Sequence, residues 1–262
     1  MRIEDLDTPR VKPGSVEALL DDLRWLGLDW DGPVEIQSGR RALYVESFER
    51  LKSVLYPCGC TRADLAAAAS APNEGDSELR YPGTCRGRTP QKVVAWRLKV
   101  SPGPVAFEDR LSGRHEIDVA ATVGDFVMAK APDQPAYQFA VVADDIAQGV
   151  TEVVRGDDLV PSTARQILVY RALGAPLPAY GHAPLVVGPD GKRLAKRHGE
   201  SRIAALRAAR VAPERIVAAL ARWSGLPPLG RPAELIPHWN WTAVSRDRVV
   251  LTQARLAEVN GL

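Results

Sequence analysis

Two features that would narrow the class of this protein at once are missing: a long apolar run and an excess of either charge. No apolar stretch approaches the roughly 20 residues that a membrane-spanning helix needs. The N-terminal segment MRIEDLDTPR is charged from its second residue, and a soluble protein of the cytoplasm is expected. Basic and acidic residues nearly cancel, leaving a net charge of +2. That balance demands no nucleic-acid partner, although it leaves room for one on a local basic patch. Cysteine is scarce: there are three, and all lie between Cys58 and Cys85. An odd number packed into one segment argues against a disulfide framework and for a local metal site. Internal repeats and low-complexity linkers are also absent. What is present is a chain of 262 residues, 45% hydrophobic, enough for a sizeable core in one or two domains.

The chain is organised around Tyr137 to Leu159, YQFAVVADDIAQGVTEVVRGDDL. Val141 and Val142, then Val150, Val153 and Val154, are β-branched runs that predict strands buried on both faces, as in a parallel sheet. Asp144 and Asp145 in an acidic turn, then Arg155, Gly156, Asp157 and Asp158, gather where those strands end. Ligands of open α/β sheets sit beyond the carboxyl ends of the strands, so these residues read as a pocket rim, with a solvated loop as the alternative. Ahead of this stretch, a short strand at Met1 to Ile3 runs into Glu4, Asp5 and Asp7 with no earlier strand to pair against. Ser15 is expected to cap a helix carrying Val16, Leu19, Leu20, Leu23 and Leu26. A second helix is predicted from Arg41 to Leu55, with Leu43, Phe48, Leu51, Val54 and Leu55 on its inner face. Thr61 and Asp64 form a capping box for an alanine-rich segment from Leu65 to Ala69. Short alternating runs from Val93 to Lys130 predict an antiparallel meander inserted between the halves of a parallel sheet. A helix follows from about Thr163 to Leu173, with Gly174 past its end. Beyond Glu200 two helices are expected, separated near Val211 to Pro213, then a packing tail with Trp239, Trp241 and a last helix, VVLTQARLAEV.

Three constellations carry chemistry. Cys58, Cys60 and Cys85 offer three thiolates to an ion such as zinc, which takes four ligands in structural sites. Tyr81, in the same loop as Cys85, and His115 are the candidates for the fourth; histidine is the commoner ligand, while spacing favours the tyrosine. GPDGKRLAKRHG places Lys192, Arg193, Lys196 and Arg197 on a glycine-flanked loop able to fold over a triphosphate and neutralise a leaving pyrophosphate. Arg155 can clamp a carboxylate and Glu4 an ammonium, a combination suited to an amino acid, though each is equally compatible with an internal salt bridge.

Taken together, RIEDLDTPR, LDWDGPVEIQSGRRALY, YQFAVVADD with GVTEVVRGDDL, and PLVVGPDGKRLAKR resemble, in this order, motifs of the glutamyl-tRNA synthetase branch of class I aminoacyl-tRNA synthetases. The short members of that branch, the glutamyl-queuosine tRNA(Asp) synthetases, are similar in two further respects. They lack an anticodon-binding domain, and their zinc site of the form C-x-C, Y-x-x-x-C is matched by Cys58, Cys60, Tyr81 and Cys85, which favours Tyr81 over His115. The resemblance implies an α/β fold with a Rossmann-like parallel sheet. Residues 1–198 would form a nucleotide-binding catalytic core with an inserted zinc-binding segment at 58–85, and residues 199–262 a helical C-terminal subdomain.

The same resemblance implies that Glu4, Tyr137 and Arg155 hold L-glutamate and that Lys196, the second lysine of the signature loop, is catalytic and contacts ATP, with Mg2+ accompanying the nucleotide. The implied reaction is activation of glutamate and its transfer to queuosine at the wobble position of tRNA(Asp) by a monomer. A catalytically impaired tRNA- or partner-binding protein, and a fragment of a glutamyl-tRNA synthetase, are the alternatives. Ala195 and Arg193 stand where the loop more often has serine and lysine; charge is kept and a hydroxyl lost. The family's first strand and helix would precede Met1, with a HIGH-type motif and an arginine that helps hold glutamate. Met1 is accordingly expected to be an internal methionine of a longer gene product, the alternative being a truncated, poor catalyst.

Overall fold

The structure is a computed structural model and describes residues 1–7, 11–61, 63–65, 80–194 and 203–260. Strand β1 (Arg2–Ile3) does find a partner: it pairs in parallel with β2 (Glu35–Ile36), reached through helix α1 (Ser15–Trp25) and the GLDWDGP turn. Such a crossover is what a parallel pair requires. Ser15 is the first helical residue of α1 rather than its cap, a position taken by Gly14 at φ 76°, and its hydroxyl donates to the Lys12 carbonyl at 2.7 Å. No residue of α1 is fully buried; Val16, Leu20, Leu23 and the following Leu26 are half-buried, while Leu19 is exposed.

Helix α2 (Arg41–Leu51) buries Tyr44, Ser47, Phe48 and Leu51. It stops short of the predicted Leu55, which already belongs to β3 (Leu55–Cys58). Thr61 and Asp64 make the reciprocal capping bonds: the Thr61 amide donates to Asp64 Oδ2 at 2.7 Å and the Asp64 amide to Thr61 Oγ1 at 3.2 Å. The rest of the expected alanine-rich helix, residues 66–69, lies outside the described residues.

Then come β4 (Ala95–Leu98), β5 (Val105–Asp109), β6 (Gly113–Ile117), α3 (Val119–Thr122), β7 (Val127–Ala131) and β8 (Gln134–Pro135). The expected single meander is divided between two sheets. One is antiparallel with strand order β3-β4-β7-β8. The hairpin β5-β6 belongs to the other sheet, whose further members come from the organising stretch and beyond it. Alternation identifies a strand but not its partner. Here Asp109, at the end of β5, is fixed by a strand that arrives 73 residues later.

The main correction concerns α4 (Tyr137–Gln148), a helix where Val141 and Val142 predicted a strand. Every residue from Gln138 to Asp145 is buried. A helix covered on all sides shows no 3.6-residue period, so its apolar run cannot be told from a buried strand. Alanine favours the helix, and Gly149 at φ 66° ends it by donating to the Asp145 and Ile146 carbonyls. Asp144 and Asp145 are thus on the helix rather than in a turn after a strand.

The chain continues into β9 (Glu152–Gly156), which holds Val153, Val154 and Arg155 but begins after Val150; it is an edge strand with Val154 exposed rather than one buried on both faces, and α5 (Val160–Ala172) and β10 (Ala179–Ala183) follow. The second sheet has the order β6-β5-β10-β9, with β5, β10 and β9 mutually parallel. Tyr44, Phe48, Phe107, Phe139, Val142 and Ile167 join the sheets and helices in one core.

Beyond it, β11 (Val186–Val187) pairs in parallel with β12 (Val249–Val250), and α6 (Ile203–Ala208), α7 (Pro213–Trp223), α8 (Pro232–Leu235) and α9 (Gln253–Asn260) complete the described chain. The two expected helices, separated at Val211 to Pro213, are α6 and α7; the two valines that open the predicted last helix form β12 instead. Leu206, Val211, Ile216, Ala219 and Val259 make a second, smaller cluster against which Trp25 and Leu26 pack. The result is an α/β fold with parallel strands at its centre. Among the described residues no helix is long and apolar enough to cross a membrane.

Candidate active site and metal centre

A cleft of about 370 Å³ lies between β1, the start of α4 and β9, and Arg2, Glu4, Tyr137, Asp145 and Arg155 all line it. Glu4, Tyr137 and Arg155, which are 18 residues apart at their nearest and 151 at their farthest in the sequence, are brought to one cavity by three different elements. Tyr137 is the first residue of α4 and remains exposed, so its ring stands at the cleft mouth. Glu4 follows β1 and accepts from Arg2 Nε at 3.2 Å and Nη2 at 3.1 Å. Arg2 also donates through Nη1 to Asp145 Oδ1 at 2.6 Å. One arginine therefore bridges the two acids, and the lining carries two cations, Arg2 and Arg155, with three anions, Glu4, Asp145 and Glu152, the last of which is paired with Arg110 at 3.0 Å. Carboxylates and an arginine in one cleft suit a ligand bearing an ammonium together with a carboxylate.

Asp144, by contrast, is fully buried and does not line the cleft. It pairs with Arg40 Nε at 2.7 Å and accepts from the Tyr44 hydroxyl at 2.9 Å and Gln37 Nε2 at 2.8 Å. This network anchors α4 to α2, since a buried carboxylate persists only when paired and hydrogen-bonded. Asp157 and Asp158 face away into ion pairs with Arg248 and Arg193, each at 2.9 Å. The Arg193 pair ties the base of the basic loop to the segment that follows β9. Lys196, together with Ala195 and Arg197, lies outside the described residues.

Arg155 is held from behind. Its Nε donates to His182 Nε2 at 3.1 Å and its Nη2 to Thr163 Oγ1 at 2.7 Å. His182 Nδ1 meets Asp109 Oδ2 at 2.6 Å, and both side chains are completely enclosed. Burial alone would raise the Asp109 carboxyl. The backbone N–H of Ser112, the His182 ring and the amides of Leu111 and His182 together overcome it and hold the group down to about 2. Burial also pushes His182 below the usual imidazole range, against the pull of Asp109. Neither His182, Asp109, Thr163 nor Arg2 stood out as a site residue in the sequence. Only their positions beside Arg155 and Glu4 in the fold single them out.

The second constellation is a cysteine cluster. The Sγ atoms of Cys58, Cys60 and Cys85 all lie within 4.8 Å of one another, with Cys60 and Cys85 separated by 3.6 Å. Thiolates sharing one tetrahedral zinc would stand about 3.8 Å apart, so the spacing fits such an ion. Tyr81 is buried among them, its Oη 3.4 Å from Cys58 Sγ and 4.0 Å from Cys60 Sγ, and it accepts from the Cys85 amide at 2.9 Å. His115, the other candidate, stands on β6 in a different sheet from Cys58, stacked on Phe107 and bonded to Ser112. Buried Arg97 completes the centre: its guanidinium lies 3.7 Å from the Tyr81 ring centroid and its Nε donates to Cys58 Sγ at 3.2 Å. A cation there offsets the negative charge of a thiolate-rich site.

Comparison with known proteins agrees with this architecture. The family model described as tRNA synthetases class I (E and Q), catalytic domain, matches residues 1–242. A glutamyl-Q tRNA(Asp) synthetase of Symbiobacterium thermophilum is 45% identical, covering 100% of this chain and 88% of that protein. One of Rhodopirellula baltica is 41% identical over 96% of this chain and 85% of its own. Among solved structures, the glutamate-tRNA synthetase of Elizabethkingia anophelis superimposes with a TM-score of 0.82 at 24% identity, covering 97% of this chain. The chain spans 61% of that larger protein.

Proposed function

Because the chain belongs to the class I tRNA synthetase family (E and Q) and is thus a ligase of the aminoacyl-tRNA synthetase type, we propose that it activates L-glutamate with ATP and transfers the glutamyl group to queuosine at the wobble position of tRNA(Asp). The observation that carries this reading is the gathering of Glu4, Tyr137 and Arg155 around one cleft that offers both carboxylates and arginines. Arg155 pairs with the side-chain carboxylate of glutamate, Glu4 takes the ammonium, and Tyr137 covers the mouth. The α-carboxylate is left free to attack the α-phosphorus of ATP: a carboxylate oxygen–phosphorus bond forms and the bond to pyrophosphate breaks. A queuosine hydroxyl then attacks the activated carbonyl, loses its proton and displaces AMP. Positioning and charge stabilisation drive both steps, and no nucleophilic side chain is used. Lys196, with Lys192 and Arg193 nearby in sequence, contacts ATP and stabilises the departing pyrophosphate, Mg2+ sharing its charge.

Cys58, Cys60, Tyr81 and Cys85 hold one zinc ion, whose chemistry is structural because four protein ligands leave no open position. Residues 1–198 act as the catalytic core and residues 199–262 as a helical subdomain, and the protein works as a cytoplasmic monomer.

Transfer of labelled glutamate tests the proposal. The full gene product, given ATP and tRNA from queuosine-proficient cells, is expected to label tRNA(Asp), and tRNA from queuosine-deficient cells is expected to remain unlabelled. Charging of tRNA(Glu) instead would identify an ordinary glutamyl-tRNA synthetase. Binding of tRNA with no label on any species would identify a silent relative.

A further inference from the structure

We propose that His182 is a positioning residue for substrate recognition: as the Nδ1–H tautomer it locks one edge of the Arg155 guanidinium and thereby aims the other edge at the ligand. This rests on the reading of the cleft as a glutamate site and adds to it the device that fixes the arginine.

The tautomer follows from the partners. Ionised Asp109 can only accept, so the 2.6 Å contact assigns the proton to His182 Nδ1. Nε2 is then a lone pair, and it receives the Arg155 Nε–H at 3.1 Å. Thr163 Oγ1 accepts from Arg155 Nη2 at 2.7 Å and lies 3.0 Å from His182 Nε2, so hydroxyl and imidazole act on the same edge. A guanidinium is planar, and holding its Nε–Nη2 edge sets the direction of Nη1. Among the described residues Nη1 has no hydrogen-bond partner, which leaves it for a carboxylate in the cleft. Without the lock, ligand binding would have to order a long, rotamer-rich side chain, which weakens affinity.

The groups facing His182 are Asp109 from β5 and Arg155 from β9, with Tyr180 of its own strand stacked at 6.3 Å and His115 on β6 acting from farther off. Burial and Arg155 both disfavour the imidazolium, which could not accept from an arginine. The device is therefore in its working protonation state at neutral pH.

Two substitutions separate positioning from packing. His182→Asn keeps a donor near the Nδ1 position for Asp109 and leaves nothing at the Nε2 position. His182→Gln reaches that position with an acceptor oxygen. Calorimetric titration with L-glutamate is expected to show His182→Asn weakened about tenfold or more and His182→Gln within about threefold of the unaltered protein. Should His182→Asn fail to fold, Thr163→Val, which removes the other bond to the same edge at nearly constant volume, is expected to weaken glutamate about fivefold. Equal affinities for the Asn and Gln variants, or an unaffected Thr163→Val, would overturn the proposal. An unaltered protein that binds no glutamate would overturn the glutamate site itself, a result distinguishable from the first because no variant is needed to see it.

Discussion

Arg155→Ala is expected to weaken L-glutamate binding by about a hundredfold or more, because it removes the bidentate partner of a carboxylate inside a partly enclosed cleft. The same change leaves Thr163 and His182 without the donors they now face, so a modest loss of stability, about 1–3 kcal/mol, should accompany it. The two effects are separable by titrating the variant well below its unfolding temperature. Arg155→Lys should recover little: a lysine keeps the charge but cannot bond His182, Thr163 and a carboxylate from one plane. Full rescue by lysine would show that the site reads charge alone. Glu4 offers a useful contrast, since it already shares Arg2 with Asp145 and sits at the exposed side of the cleft. Its removal should cost less than that of Arg155.

Cys58→Ser is expected to reduce the zinc content from one ion per chain to a small fraction and to lower the unfolding temperature, since a structural metal contributes its binding free energy to folding. Cys58 is central for geometric reasons. It is wholly buried at the end of β3, opposite Ala95 of β4, and its sulfur receives the Arg97 guanidinium. Arg97 in turn donates to the Asp125 carbonyl at 2.7 Å, and the Asp125 carboxylate collects the Tyr56 hydroxyl at 2.6 Å and the Val100 amide at 2.8 Å. Loss of the ion would leave a buried arginine beside a sulfur of lower charge, at a point wired into the antiparallel sheet. Elemental analysis together with a melting curve checks this. A serine variant with full zinc content and unchanged melting would remove the metal centre from the account. Tyr81→Phe, which deletes only the oxygen, should fall between the unaltered chain and Cys58→Ser.

The parts of the site that the sequence made legible are those written in local pattern. Val153, Val154 and Arg155 form a short β-branched run ending in a charge, and β9 lies where that run predicts it. The cysteines fall within 28 consecutive residues, and their sulfurs meet. Helix α4 was illegible as a helix because burial on every side erased the period that would have announced it, and the acids at its end were consequently placed in a turn. The partners of Arg155 were hidden for a different reason. His182 and Asp109 are 73 residues apart, and the contact exists only because β10 lies between β5 and β9 in the sheet. The strands of the expected meander failed in the same way: their alternation was readable, but pairing across sheets depends on which faces the core covers. The chemistry of Glu4 and Arg155 already suggested an amino-acid pair, and the resemblance among the motifs added Tyr137 to them.

The central claim is that this chain activates glutamate, and exchange of labelled pyrophosphate into ATP by the full gene product tests it most directly. The account predicts exchange that requires L-glutamate, is not supported by L-aspartate or L-glutamine, and falls to background in Arg155→Ala and Lys196→Ala. Exchange that proceeds equally without glutamate, or no exchange with glutamate, ATP and Mg2+ present together with queuosine-containing tRNA(Asp), would contradict it.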